Sequence, residues 1–233
     1  MAEKKTSTKR TKNRLPQKES IFLNDFKPKT DRQRDLINTI ERNEITIAVG
    51  GAGVGKTIVT LATALGLLGN TYKKIILCKS VTNLPGEELG FIPGDISEKM
   101  APYIMSYIWN IDKICGEGVG KSLMDKKLIE VLPLAYIRGL SIDNAIVIVD
   151  EVQNLSDHIF KTIITRIGDN SKYVFLGDIE QVDRKKKSES CLEKVLNIFK
   201  DNSIIGTVEF DDNDCVRNPI IPKILTKLRE NNI

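Results

Sequence analysis

One octapeptide constrains this chain more than any other stretch of it: Gly50-Gly51-Ala52-Gly53-Val54-Gly55-Lys56-Thr57. A short β-branched run, Ile45 to Val49, precedes it, and a helical pattern from Lys56 to Leu68 follows, ending at Gly69-Asn70. A strand, a glycine-rich turn and a helix in that order form a cradle for phosphates. The glycines let backbone amides point inward, and the helix contributes its positive end. Lys56 is placed to reach the β and γ phosphates and the Thr57 hydroxyl to bind Mg²⁺. Gly50, Gly51, Ala52, Gly53, Val54, Gly55, Lys56, Thr57 and Ile58 are therefore the expected nucleotide-binding residues. A glycine turn that binds nothing is the alternative, and the strand and helix on either side argue against it.

Further apolar runs lie at Lys74 to Cys78, Ile129 to Leu132, Ala145 to Val149, Tyr173 to Leu176 and Ile204 to Val208, most of them separated by helical patterns. Strands that are apolar on both faces and alternate with helices imply an α/β fold, a mostly parallel sheet flanked by helices on both faces. A short helix is expected from Thr30 to Arg42, with Thr30 or Asp31 as its cap. The segment from Ser80 to Asn144 is longer than a crossover needs. It carries turn signals at Pro85-Gly86 and Pro93-Gly94, a helical pattern from Asp95 to about Cys115, and a glycine break at Gly116, Gly118 and Gly120. We read residues 21–233 as one domain, elaborated at about 80–144 into a candidate substrate-contacting surface.

The run Ala145 to Val149 ends in Asp150-Glu151, which delivers two carboxylates at the C-terminal end of a buried strand, where α/β sheets bind ligands. Asp150 is the expected partner of Mg²⁺, and Glu151 the base for an attacking water. Phe175 to Gln181 repeats the arrangement, so that Gln181 or Asp178 is a candidate sensor of the γ-phosphate. An ordinary Gly-Asp turn is the competing reading there.

Charge is unevenly spread. Met1 to Glu19 holds seven basic and two acidic residues against a whole-chain charge of +4, which leaves the remainder near −1. Such a polar tail, residues 1–20, cannot repay the entropy of ordering and is expected to be disordered. It would attract a nucleic-acid backbone or serve solubility alone. No apolar run approaches a membrane span, and the charged start does not resemble a signal peptide, so a cytoplasmic protein is expected. Richness in Ile, Lys and Asn fits an A·T-rich genome, a viral one among the options, and the host cytoplasm would then be the setting. Cys78, Cys115, Cys191 and Cys215 lack the close pairing of a zinc site and read as buried free thiols. His158, the only histidine, reads as a surface residue.

With these residues in place, the chain closely resembles the PhoH-like ATPases, a family related to the motor core of superfamily 1 helicases. The resemblance rests on Gly-Gly-Ala-Gly-Val-Gly-Lys-Thr at 50–57, Gly-Glu-Glu-Leu-Gly-Phe-Ile-Pro-Gly-Asp at 86–95, Glu-Lys-Met-Ala-Pro-Tyr at 98–103, Pro-Leu-Ala-Tyr-Ile-Arg-Gly at 133–139, Val-Asp-Glu-Val-Gln-Asn at 149–154, Gly-Asp-Ile-Glu-Gln-Val-Asp at 177–183 and Asp-Cys-Val-Arg-Asn-Pro at 214–219. It implies a RecA-like P-loop NTPase fold, ATP hydrolysis, and assembly into a homo-oligomeric ring, a hexamer being one form. Single-stranded RNA or DNA is its implied partner. Gln33 resembles the glutamine that reads adenine in this family, with a plain polar helix residue as the alternative. No guanine-reading Asn-Lys-x-Asp motif is present, which favours ATP. Two departures stand out. Gly51 replaces the family's usual proline, and Lys79-Ser80 replaces an Arg-Pro pair, removing an arginine fork.

A helicase of the related type completes its site between two RecA-like domains, and this chain has material for one. A neighbouring subunit is the expected source of the missing face, with Arg217 the first candidate for an arginine against the γ-phosphate and Arg138 the second. Either arginine reads equally well as scaffold. The cluster Arg184 to Lys187, just past Gln181, is a candidate phosphate contact or a solvated loop. Three classes compete: a nucleic-acid-linked ATPase, a nucleotide-gated assembly protein with little turnover, and a small-molecule P-loop kinase. The Asp150-Glu151 pair favours hydrolysis over the last.

Overall fold

The computed structural model describes residues 23–24, 26–79, 96–137, 139–181, 190–200, 202–217 and 220–230. The expectations for the tail, the two Pro-Gly turns, Arg138 and Arg184 to Lys187 lie outside the described residues.

Six strands carry the site: β1 (Ile45–Val49), β2 (Lys74–Lys79), β3 (Ile129–Pro133), β4 (Ala145–Asp150), β5 (Lys172–Gly177) and β6 (Gly206–Glu209). They form one sheet in the order β3-β2-β4-β5-β1-β6, and every neighbouring pair is parallel. This is the α/β RecA-like arrangement expected. Alternation along each strand supplies two cores. Ala48, Ile75, Leu77, Ile146, Ile148, Val174 and Leu176 face one of them, while Ile47, Val49, Ile76, Cys78, Val147, Val149, Tyr173 and Phe175 face the other. The first is covered by α1 (Asp31–Arg42), α2 (Lys56–Leu67), α3 (Ile96–Cys115) and α4 (Val119–Asp125), the second by α5 (Asp157–Ile164) and α6 (Leu192–Phe199). A last helix, α7, spans Ile220–Glu230.

Local chemistry explains the element ends. The Thr30 hydroxyl accepts the Gln33 N–H and caps α1. The buried Lys172 directs its ammonium to the carbonyls of Glu41, in the last turn of α1, and Asn43, just beyond it, and β5 begins at this residue, one earlier than its apolar run. β6 begins two residues later than the run Ile204 to Val208 implies. A side chain at Gly206 would sit 2.4 Å from Thr39 Cγ2, so α1 meets the strand where only glycine fits, and Ile204 is left 66% exposed. The glycine break is also shorter than expected. Gly116 and Gly118 take positive φ, whereas Gly120 lies inside α4, donating its N–H to Asp112 and packing against the Ile108 carbonyl. Cys78 and Cys191 are buried, but Cys115 and Cys215 are only half-buried. His158 is exposed. Among the described residues no helix is long and apolar enough to cross a membrane.

Candidate active site

Because β1 and β4 end at the same edge of the sheet, the turn after β1 and the carboxylates after β4 share one cleft of about 950 Å³. Its lining includes Ala52, Gly53, Gly55, Lys56, Thr57, Ile58, Asp150, Glu151, Asp178 and Gln181. Gln33 and Arg217 line it too, whereas Gly50, Gly51 and Val54 of the expected set do not.

The loop is braced on three sides. Gly50 donates to the Gly177 carbonyl at 3.2 Å, and Val216 donates to the Gly53 carbonyl at 3.1 Å. Gln33 donates from Nε2 to the Val54 carbonyl at 2.9 Å while its Oε1 accepts the Lys29 N–H at 2.8 Å. Two glycines are fixed by these braces. A side chain at Gly53 would lie 2.7 Å from Arg217 Cδ, and one at Gly55 would lie 2.7 Å from Gln33 Nε2, with φ near +90° at both positions. Gly51, by contrast, has nothing within 4 Å of such an atom, so this departure from the family pattern leaves the cradle unchanged.

Lys56 folds back over its own loop, donating to the carbonyls of Gly50 and, at 3.0 Å, Gly51. Burial lowers its pKa, and the nearby Asp178, Asp150 and Glu151 oppose that shift. Thr57 Oγ1 lies 3.4 Å from Asp150 Oδ2, and Asp150 Oδ1 accepts the Glu151 N–H at 3.0 Å. Burial first and the Glu151 charge second raise the Asp150 pKa, with Lys79 and Lys56 pulling the other way. A hydroxyl and one carboxylate facing a phosphate cradle fit Mg²⁺, which takes few protein oxygens and fills its shell from phosphates and water.

Glu151 takes a left-handed backbone, φ 60° and ψ 41°, which is uncommon outside glycine. This bend ends β4 and swings the Glu151 carboxylate to a separate set of partners. Oε2 accepts from Gln153 Nε2 at 2.7 Å and Oε1 pairs with Lys79 Nζ at 3.3 Å. Gln153, 1% exposed, uses its Oε1 to accept the Asp178 N–H at 3.1 Å. It thereby ties the carboxylate after β4 to the turn after β5. Lys79 also sits 5.4 Å from the ring centroid of Tyr103, and it faces Asp150 across β2 and β4. The lysine thus keeps a cation where the arginine fork is missing.

Arg217 packs against the loop of its own chain, with Cγ and Cδ beside Gly53 and its charge acting on Lys56. An arginine that reached a neighbour's site would have to give up these contacts. A capping box between Asp211 and Asp214 fixes the turn that sends Val216 and Arg217 to the loop. Gln153, Tyr107 and Asp214 have no signature of their own in the sequence; Gln153 and Asp214 stand out only by lying in family-like stretches.

The sequence profile of the PhoH-like protein family matches residues 25–229. A PhoH-like protein of Bacillus subtilis is 37% identical over 84% of this chain and 62% of its own length. Protein PhoH of Escherichia coli K12 is 34% identical over 84% and 56% respectively, so the chain spans somewhat over half the length of these relatives. Among solved structures, the large terminase of a thermophilic bacteriophage superposes with a TM-score of 0.54 at 13% identity, over 85% of this chain and 48% of that one, a likeness of fold. The loop between β1 and α2 and the acidic end of β4 stand in the arrangement of a P-loop fold. With a family profile that spans nearly every described element and relatives this similar over most of its length, the chain belongs to the PhoH-like protein family.

Proposed function

We propose that the protein binds ATP with Mg²⁺ and hydrolyses it to ADP and phosphate. The observation that carries this reading is the placement of Glu151: its carboxylate stands in the same cleft as Lys56 and the Thr57–Asp150 pair, held at both oxygens by Gln153 and Lys79. Hydrolysis needs a base held within reach of a water that faces the γ-phosphate.

On nucleotide entry the Lys56 ammonium leaves the Gly50 and Gly51 carbonyls for the β and γ phosphates, and the backbone N–H groups of the loop cradle the chain of phosphates. Mg²⁺ held by Thr57 and Asp150 supplies charge neutralisation at the phosphate oxygens. Glu151 accepts the proton of the attacking water. Gln153 fixes the direction of that carboxylate, and Lys79 counters its charge before the water is bound. Arg217, already against Gly53, adds positive charge on the phosphate side of its own site, and Gln181 lines the same cleft from the turn after β5. Gln33 keeps one N–H and one lone pair beyond its two protein bonds, enough to read an adenine edge.

Coupling to single-stranded RNA or DNA and assembly into a homo-oligomer complete the proposal. Both rest on the family resemblance, and the former also on the basic tail and the Arg184 to Lys187 cluster. Phosphate release should be measured with and without single-stranded RNA and DNA, for the wild type, Lys56→Ala and Glu151→Gln. Turnover should vanish in both variants, with nucleotide still bound by Glu151→Gln. Turnover retained in both would overturn the mechanism, and ATP-dependent oligomerisation without turnover in the wild type would favour the assembly reading.

A further inference from the structure

Among the described residues two buried side-chain polar atoms lack a hydrogen-bond partner, and one of them, the hydroxyl of Tyr107, lies at the candidate site. Tyr107 is 1% exposed on α3, its ring is part of the first core, and it lines the nucleotide cleft beside Asp150. A phenylalanine would fill the same core volume without stranding a hydroxyl, and a stranded donor is a cost that folded proteins rarely retain without a use.

The surroundings of Asp150 indicate that use. One of its oxygens accepts the Glu151 N–H at a good distance, while the other has the Thr57 hydroxyl at a long 3.4 Å, and the Tyr107 hydroxyl stands close enough to interact with the carboxylate without completing a well-formed bond. When the Thr57 oxygen turns to a metal ion, that second carboxylate oxygen loses the Thr57 hydroxyl as a donor. We propose that the Tyr107 hydroxyl then donates to Asp150, making Tyr107 a positioning residue that holds the carboxylate in its metal-binding orientation. The proposal rests on the reading of Thr57 and Asp150 as the Mg²⁺ site. It places a control point for metal affinity on α3, outside the phosphate loop and the two acidic strand ends.

Binding of the fluorescent nucleotide mant-ADP to the full chain tests this, titrated with Mg²⁺ and repeated in EDTA, for wild type and Tyr107→Phe, with thermal denaturation of each nucleotide-free protein. Tyr107→Phe should raise the Mg²⁺ concentration for half-maximal binding by roughly ten- to a hundredfold, as loss of a hydrogen bond to a charged group does. It should leave affinity in EDTA unchanged and the melting temperature equal or higher. An unchanged Mg²⁺ dependence beside a Mg²⁺-dependent wild type would overturn this proposal alone. Equal losses with and without Mg²⁺ would do the same by pointing to packing. A wild type whose nucleotide binding ignores Mg²⁺ would overturn the metal site itself and this proposal with it.

Discussion

Gln153 holds Glu151 through a 2.7 Å hydrogen bond from Nε2 to Oε2, and the same buried amide accepts the backbone N–H of Asp178. Replacing it with leucine leaves the Asp178 N–H without a partner and frees the proposed base to rotate. Stability should fall by about 1–3 kcal/mol and turnover by roughly a hundredfold, the scale of a general-base contribution. Affinity for mant-ADP should stay at its wild-type level. Urea unfolding, nucleotide titration and phosphate release check the three parts, and a loss of affinity matching the loss of turnover would contradict the assignment.

Asp150 carries a charge that burial disfavours. Because its folded pKa is raised, the folded protein holds that proton to higher pH than the unfolded chain does. The associated stability is present below the ordinary carboxylate range and is lost as pH rises through the raised value. Asp150→Asn removes this loss, so the nucleotide-free variant should melt above wild type at about pH 8, with the gap closing near the ordinary carboxylate pKa of about 4. Mg²⁺-dependent nucleotide binding should disappear at the same time. Scanning calorimetry across that range decides the matter; a variant less stable at every pH would show that the carboxylate supports the empty fold.

Gln33 braces the loop through Val54 whichever base is bound. Gln33→Ala should therefore weaken GTP on the order of fivefold for one lost hydrogen bond, and ATP by more because the adenine contacts go with it. A loss confined to ATP would make base reading its main role. Competition against mant-ADP measures both affinities.

Arg217 contacts the loop of its own chain, so a subunit lacking it should not be rescued by a neighbour. Mixtures of Arg217→Ala and Lys56→Ala subunits should show no more phosphate release than the two variants assayed apart. Recovery of activity on mixing would mean that the arginine crosses between subunits.

Cys215 is half-buried with its sulfur 3.9 Å from the Ala52 carbonyl, on the back of the phosphate loop. Saturating ATP should slow its alkylation, whereas the thiol of Cys115, at the end of α3, should react at an unchanged rate. Cys78, fully buried with its pKa pushed up to about 12, should resist alkylation with or without nucleotide. Mass spectrometry of iodoacetamide-treated protein reads all three; equal rates for Cys215 in both states would separate it from the site.

The readable parts of this molecule were the local ones. Ile45 to Val49 and the octapeptide after it are adjacent in the chain, and so are Ala145 to Val149 and its two acids. Periodicity and spacing therefore specify both halves of the cleft. Gln153, Tyr107 and Lys79 acquire roles only from what packs beside them: the turn after β5, Asp150 across from α3, and Glu151 next to β2. The late start of β6 has the same origin, since nothing near Ile204 in the chain reports that Thr39 approaches Gly206. For Arg217 the sequence leaves open whether it acts on a neighbour's site or serves as scaffold, because a motif carries no information about which copy it faces.

The sheet order also governs how the molecule can be made. β1 and its loop arise early in the chain, yet β1 pairs only with β5 and β6, through partners such as Tyr173 for Ile45 and Gly206 for Thr46. Contacts so far apart in sequence form late. A chain emerging from the ribosome cannot complete the bracing of the loop after β1 until residues near Arg217 have been synthesised, so this loop waits for segments made long after it.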